Sequence, residues 1–547
     1  MSYFRKLINI IALPALLVAF LSSCQQSMNE KPVINVDIGI ISGDVIDGTG
    51  SAAKTLDIGI VDDRIVYMGT DKILNAKRTI NAKNLIVSPG FIDGHSHSDE
   101  FVYLKENRLN ESALFQGVTT FVGGADGFWS PEELRSLLAA YKKNGIGTNV
   151  AFYIGHNGIR KAVMGEAKRF ATKPEMEKMK ALVEEGMQMG ALGLSTGLMY
   201  SPGDQSNTEE VIELAKVAAK YGGIYDSHVR DPINALLDSD REVIRIAREA
   251  NIDAKIGHVK AVCQRNAGLS KDIIQMVEKA RAKGINIVTD QYPYDGAKTD
   301  FLSSLVNVST SLKEQDNYSL NSALSDPVLY AQLKNNSEHG IDGNFSWLKV
   351  LDYDCIRITY SEDYPELVGQ YIDDLARKDR VDGFKMIQKL LHNAKKPIRV
   401  TFGGVLEKDV QAILVMPWNL IVSDGYYVND ASPDNIHPRS TGTFTRILGH
   451  YVRDLKLLNL EEAIRKMTYA PAQFLHLPDR GHIARGAFAD IVIFDKKSVR
   501  DRSSWSEPKH YAEGIKFVII NGQLAIDKSE LTGNASGRYV PRSKSIN

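Results

Sequence analysis

The chain reads as an α/β protein, on three observations. From about residue 85 onward, short apolar runs rich in β-branched residues alternate with amphipathic helical stretches. Eight such runs can be counted. Strand-like stretches without helices between them stand at both ends of the chain. Eight βα units predict a (β/α)8 barrel of TIM type, and the two ends predict a small β unit beside it.

Near the start, Val36–Ile40, Ile58–Val61 and Arg64–Tyr67 have strand character, with Gly and Asp turns between them. The barrel candidates are Leu85–Val87 (leading toward His97), Val118–Gly123, Asn149–Ile154, Leu192–Ser195, Gly223–Ser227, Ala254–Gly257, Ile285–Asp290 and Asn419–Ser423. Ile398–Phe402 is a ninth, which leaves the late barrel open.

Among the helices, Ser130-Pro131-Glu132-Glu133 is a capping box with Pro at the first helical position. Leu134, Leu137, Leu138 and Tyr141 then form one apolar face. Asn207–Glu210 opens a second helix, with Val211, Leu214, Ala215 and Ala218 on one side, and Asp272–Gly284 reads as a third.

Between Tyr294 and Ile398 about a hundred residues show weak periodicity, too long for a loop. Residues 296–397 are therefore expected to be an inserted lid or subdomain together with a barrel helix. After Tyr469 the runs Ile491–Phe494 and Phe517–Ile520 return to strand character and would complete a sheet with the N-terminal strands. The expected division is 35–86 with 478–540 as the small β unit, and 87–477 as the barrel.

Composition excludes several classes. With 547 residues, 66 basic against 67 acidic side chains and 43% hydrophobic content, the chain is no collagen, disordered tail or polytopic membrane protein. A net charge of −1 argues against nucleic acid as a partner. Three cysteines make no disulfide framework. Cys263 and Cys355 have only each other to pair with, because Cys24 has another use.

That use is at the N-terminus. Arg5 and Lys6 precede an apolar run from Leu7 to Leu21, interrupted by Pro14 and too short for a comfortable membrane span. It ends in Leu21-Ser22-Ser23-Cys24, which resembles a bacterial lipobox. The resemblance implies removal of residues 1–23, acylation of Cys24, a tether over 24–34, and an exported protein held by lipid on a bacterial membrane, periplasmic or at the cell surface. A plain secretory signal with an incidental cysteine is the alternative.

The polar residues collect at the C-terminal ends of the strands, which share one mouth in a barrel. In chain order they are His95 and His97, Asp126, His156, Tyr200, His228, His258 and Lys260, Asp290 and Tyr292, and Asp424. His95 and His97, two apart, face the same way. Imidazoles with carboxylates at one rim make a metal-binding set for which zinc is the default. Singly, His228 or His258 reads equally as a hydrogen-bonded scaffold residue, and Asp424 as a turn carboxylate. Only their arrival at one rim makes the case.

The run Gly90-Phe91-Ile92-Asp93-Gly94-His95-Ser96-His97 resembles the first-strand motif of the amidohydrolase superfamily. Further stretches resemble its N-acyl-D-amino-acid deacylases (D-aminoacylases): Gly117–Thr120, Gly155-His156, Gly193–Tyr200 with Pro202-Gly203, Ser227–Asp231, Gly257–Lys260 and Asp290–Tyr294. Later come Ser423–Gly425, His437–Arg439, Gly442–Phe444, Arg480–Ile483, Gly486–Val492 and Asn521-Gly522. Each motif is loose, but their order and spacing from about residue 35 to 540 are specific.

The resemblance implies a TIM barrel with a β-sandwich built from both chain ends and an insertion late in the barrel. It implies metal-dependent hydrolysis of the amide in an N-acyl-D-amino acid. His228, His258 and Asp126 would hold a tightly bound zinc, and His95 and His97 a second, weaker metal. Asp424 would be the catalytic carboxylate. Lys260, Tyr292 and Arg439 would face the substrate carboxylate, and Tyr200 the scissile carbonyl. A D-amino-acid dipeptidase or a dihydroorotase-type cyclic amide hydrolase remains the alternative reaction, and a non-catalytic binding lipoprotein the third. Oligomeric state is not legible.

Two positions depart from the resemblance. Asp126 stands where the family has a cysteine ligand; a carboxylate is harder than thiolate and can bridge two ions. Lys298 follows the Tyr292-Pro293-Tyr294 motif where a small polar residue is expected. It reads as a lysine on the insertion pointing at water, or as a cation favouring an acidic substrate side chain.

Overall fold

The computed structural model describes residues 31–314, 318–341 and 345–543. The expected signal peptide, residues 1–23, and the lipid-bearing Cys24 lie outside the described residues. Among the described residues no helix is long and apolar enough to cross a membrane.

Eight short parallel strands form the centre: Phe91–Asp93, Val118–Gly123, Asn149–Phe152 continuing as Ile154–Gly155, Gly193–Gly197, Ile224–His228, Ala254–Ile256, Ile287–Gln291 and Asn419–Ile421. They pair in chain order, except that the last skips the long segment after Gln291 to lie beside Ile287–Gln291. A parallel bridge between Ser96 and Gly425 brings the eighth strand's end back to the first, with His97 N donating to Gly425 O at 2.8 Å. Ile92, Val122, Ala151, Leu192, Ile224, Val288 and Leu420, from seven different strands or their edges, share one apolar cluster. A second, larger cluster joins the strands to the helices outside them. The Ser130 capping box forms, with Ser130 N donating to Glu133 Oε2 at 2.7 Å, and Asn207 caps the next expected helix.

The first strand differs from its expected place. Ile86–Pro89 pairs with Val33–Val45 and Ile491–Phe494 in a nine-stranded sheet, and the parallel strand is Phe91–Asp93. Gly90 separates the two: a Cβ there would come within 2.1 Å of Thr119 Oγ1, so the chain crosses at a spot only glycine can occupy. The nine-stranded sheet takes strands from both ends of the chain. Val33–Val45 pairs with Lys54–Val61 on one edge, and with Ile73–Asn81 and then Ile86–Pro89 on the other. Ile40, Ile58, Ile491 and Ile519 lie in its apolar interior.

The ninth candidate is no part of the parallel set. Arg399–Phe402 is the middle strand of a separate antiparallel sheet, between Lys298–Phe301 and Ile356–Tyr360. That sheet and the helices Pro327–His339, Ile372–Asp379 and Gly383–Asn393 share their own core around Leu333, Ile356, Phe384 and Phe402. The helix before the eighth strand is Glu407–Leu414, beyond the expected insertion rather than inside it, and it packs on Ser270–Arg281. Cys263 and Cys355 form a disulfide joining the loop after the sixth strand to this added unit.

Candidate metal centre and active site

Residues two apart on a strand share a face, so each parallel strand sends alternate side chains inward, and the last of them reach the C-terminal rim. His95 and His97 leave the first strand this way and are buried. Asp93 ties that strand's end to the eighth by accepting from Ser423 N at 2.9 Å and Ser423 Oγ at 2.5 Å. Burial pushes its carboxyl up to about 6.

Asp126 sits on a sharp turn after the second strand. Gly124, Asp126 and Gly127 all take left-handed backbone, with φ of 72°, 57° and 79°. Glycine and aspartate tolerate this region better than most residues. Ser195 clamps the turn, donating to Gly124 O at 2.5 Å and accepting from Gly127 N at 3.1 Å.

The two oxygens of Asp126 face different histidines. Oδ1 is 3.4 Å from His95 Nε2 and 3.5 Å from His258 Nε2. Oδ2 is 3.3 Å from His228 Nδ1 and 3.7 Å from His97 Nε2. Burial works to raise this carboxyl, but His228 and the other imidazoles outweigh it and hold it well below the carboxylate range. Asp424 closes the cluster: its Oδ1 is 3.3 Å from His97 Nε2 and 3.7 Å from His95 Nε2.

The donor set suits a divalent metal. Both ring nitrogens of His95 and of His228, and Oδ1 of Asp126, are buried without a hydrogen-bond partner. Buried polar atoms are almost always satisfied, so such a concentration marks a place for a cation. Ligand atoms around a tetrahedral zinc with bonds of about 2.0 Å lie about 3.3 Å apart, the spacing seen here. His95–Asp126–His258 and His95–His97–Asp424 each converge closely enough to hold an ion. His228 joins them through Asp126, with its ring 4.4 Å from that of His258.

A third convergence, His95–Asp226–Asp290, already contains a cation. Lys255 reaches in from the sixth strand, 3.2 Å from Asp226, in contact with Asp290, and donating to Gly94 O at 2.9 Å. Burial alone would lower its ammonium, but Asp226 and Asp290 hold it well above the usual lysine range. Asp290 also accepts from the backbone N of His258 and faces His95 Nδ1 at 3.7 Å. Sequence reasoning named Asp290 but missed Asp226 and Lys255.

Above the cluster opens a cavity of about 660 Å³. Tyr292, Arg439 and Lys260 form one corner, the Arg439 guanidinium 4.6 Å and the Lys260 ammonium 5.2 Å from the Tyr292 ring centroid. Arg439 Nη1 donates to Asp424 Oδ2 at 2.5 Å and to Ala297 O at 3.1 Å, while its Nε is buried and unpaired. Burial brings Lys260 down to about 8. Tyr200 lines the cavity beside His228, ring centroids 4.6 Å apart. Lys298 lines it too, an exposed residue whose ammonium lies over Trp347 at 4.3 Å. His156 does not join the group: it pairs with Glu210 at 2.9 Å, beside Arg160.

Four imidazoles and two carboxylates beneath one cavity, at the C-terminal ends of parallel strands, define the class as an α/β metallohydrolase. The model of the Amidohydrolase family matches residues 78–279 and 367–526. The D-aminoacylase of Alcaligenes xylosoxydans xylosoxydans is 32% identical over 528 residues, 92% of this chain and 98% of that protein. The structure of an N-acyl-D-glutamate deacylase from Bordetella bronchiseptica, complexed with zinc and a phosphonate mimic of the tetrahedral intermediate, matches with a TM-score of 0.72 at 28% identity, covering 93% of this chain and 100% of that one. A D-aminoacylase structure described for its binuclear metal centre matches with a TM-score of 0.72 at 30% identity, over the same shares. The chain belongs to the amidohydrolase family, in its D-aminoacylase (N-acyl-D-amino-acid deacylase) branch.

Proposed function

We propose that this protein hydrolyses the amide bond of N-acyl-D-amino acids, releasing a D-amino acid and a carboxylate. The observation that carries the reading is the position of Asp424, with one oxygen 3.3 Å from His97 and the other 2.5 Å from Arg439. One carboxylate thereby stands between a metal-binding cluster and a guanidinium suited to a substrate anion.

His95, His97, His228, His258 and Asp126 would hold the metal, by donor chemistry zinc, with one ion tightly bound and a second more weakly. Bound there, it supplies Lewis acidity toward the amide carbonyl and a lowered pKa for a water. Asp424 takes the proton of the attacking water and delivers it to the leaving amine, acting as base and then acid. Its depressed pKa keeps it ionised until that first proton arrives. Burial opposes the ionised form, and Arg439 and His258 outweigh burial. Arg439 presents a planar fork to the α-carboxylate, with Lys260 beside it. Tyr200 donates to the carbonyl oxygen as charge develops there.

The same reading takes the eight parallel strands as a closed (β/α)8 barrel, with the nine-stranded sheet as a β-sandwich of both chain ends and the unit around Arg399–Phe402 as an insertion. Export and lipid anchoring through Cys24 belong to it on the strength of the Leu21–Cys24 motif. The test follows amine release from N-acyl derivatives of D-methionine and D-glutamate and their L-enantiomers, with a D-dipeptide and a cyclic amide as controls. D-selective release that a chelator abolishes and zinc restores is expected. Release from only the dipeptide or the cyclic amide sinks the reading.

A further inference from the structure

The cavity has two unlike walls. One is the cationic corner of Arg439 and Lys260 on Tyr292. The other is aromatic. Tyr426 stacks on His97, ring centroids 5.1 Å apart and planes 22° apart. Phe101 stands edge-on to Tyr426 at 6.1 Å, and Phe128 edge-on to His97 at 6.0 Å. Phe101, Phe128 and Tyr426 are 38%, 42% and 37% exposed, and all three line the cavity. A lone exposed aromatic needs no account, but several converging on one site do.

The floor between the walls has a fixed order. Arg439 Nη1 lies 2.5 Å from Asp424, Asp424 lies 3.3 Å from His97 Nε2, and the His97 ring lies against Tyr426. A substrate whose carboxylate is held at Arg439 and whose amide lies over Asp424 carries its acyl group onward, past His97, onto the aromatic wall.

Resting on the deacylase reading above, we propose that the acyl group this site selects is large, apolar and aryl-bearing rather than acetyl. An acetyl methyl is too small to cover the three rings. A phenyl group one methylene beyond the carbonyl removes them from water and meets them edge-to-face or offset-stacked, the arrangements aromatic pairs prefer. A charged acyl terminus would be desolvated against hydrocarbon without an ionic partner on that wall.

The test compares kcat/KM of the metal-loaded full chain for N-phenylacetyl-, N-octanoyl- and N-acetyl-D-methionine by amine release. Phenylacetyl is expected to exceed acetyl by about tenfold, with octanoyl between them. Phe101→Ala and Phe128→Leu are each expected to lower the phenylacetyl-to-acetyl ratio about fivefold. A wild-type ratio near one, or one that neither variant moves, overturns the proposal while leaving the deacylase reading intact. Octanoyl above phenylacetyl overturns the aryl assignment. No release from any of the three, nor from the same acyl series on D-glutamate, overturns the deacylase reading and this proposal with it.

Discussion

Asp424 and Arg439 form a buried ion pair, Oδ2 to Nη1 at 2.5 Å, that shares its carboxylate with His97. Under the proposed mechanism two demands meet on Asp424: it stays ionised to accept a proton, and it lies close to where the substrate's carboxylate would bind. The Arg439 guanidinium favours the ionised carboxylate and would serve both. Asp424→Asn keeps the shape and one acceptor oxygen but removes the base. The expected outcome is a fall in kcat of about 100- to 10,000-fold with the tightly bound metal retained. A variant with near-native kcat removes Asp424 from the proton transfer.

Asp126 offers an oxygen to each side of the histidine cluster, and both sulfurs among the described cysteines are tied up in the Cys263–Cys355 disulfide. The donors are therefore all nitrogen and oxygen. Asp126→Ala is expected to weaken metal binding by about 100-fold or more, read by chelator competition, while far-ultraviolet circular dichroism stays native. Asp126→Cys should shift preference toward cadmium over manganese, because thiolate is the softer ligand. Unchanged metal affinity in the alanine variant would exclude Asp126 as a ligand.

Lys255 is the buried cation under the site, 1% exposed and set between Asp226 and Asp290, which are 0% exposed. Removing one member of a buried ionic group strands the others, at a cost of about 3–5 kcal/mol. Lys255→Met is expected to lose that much by urea denaturation. Adding Asp226→Asn should recover part of it, since one stranded charge is then gone. A Lys255→Met protein as stable as the wild type would show that the carboxylates simply take up protons.

The same lysine shows where the sequence stops being readable. Each histidine could be nominated because it follows a β-branched run, and the direction of a run tells which end carries the site. Lys255, in Ala254–Ile256, looks like the outward polar position of an alternating strand. Its place inside depends on Asp226 and Asp290, which stand on the parallel strands to either side of it, about thirty residues away in each direction along the chain. Ile86–Pro89 and Phe91–Asp93 are equally short and apolar, and only pairing with Ile491–Phe494, four hundred residues later, separates them. Arg399–Phe402 has strand character in either sheet, so its antiparallel partners were invisible locally. His156 sits at a strand end like the others, but Glu210 and not the cavity claims its ring.

The disulfide closes a long loop. Cys263 and Cys355 are 92 positions apart, and a crosslink of that span removes about 4–5 kcal/mol of unfolded-chain entropy in the loop-closure account. Replacing both with serine is expected to lower the melting temperature by several degrees and to loosen the added unit first, seen as protease cleavage within residues 298–402. Metal content should hold, because neither sulfur faces the histidines. Loss of metal together with the disulfide would show that the bond positions the loop carrying His258 and Lys260.

Asp240 gives a pH dependence of stability from outside the metal cluster, with Arg241 and, from the cavity corner, Lys260 as the cations that act on it. It lies on the helix Leu236–Ala250, 0% exposed, with both carboxylate oxygens unpaired. Burial pushes its pKa up to about 7. In the unfolded chain the group titrates near 3.9. Below about pH 4 both states carry the proton, and the group does not oppose folding. Between about pH 4 and 7 the unfolded chain ionises while the folded one keeps its proton, so stability falls as pH rises. Above about pH 7 the folded state ionises as well and the loss is complete, about 4 kcal/mol in all. Asp240→Asn cannot ionise, so its stability relative to the wild type should climb from pH 4 to pH 7 and then level off. Urea denaturation of both proteins at four values between pH 4.5 and 7 measures that difference, in which titrating groups that do not interact with Asp240 cancel. A flat difference would mean that Asp240 ionises in the folded protein as readily as in the unfolded one, with water or a counter-charge reaching it.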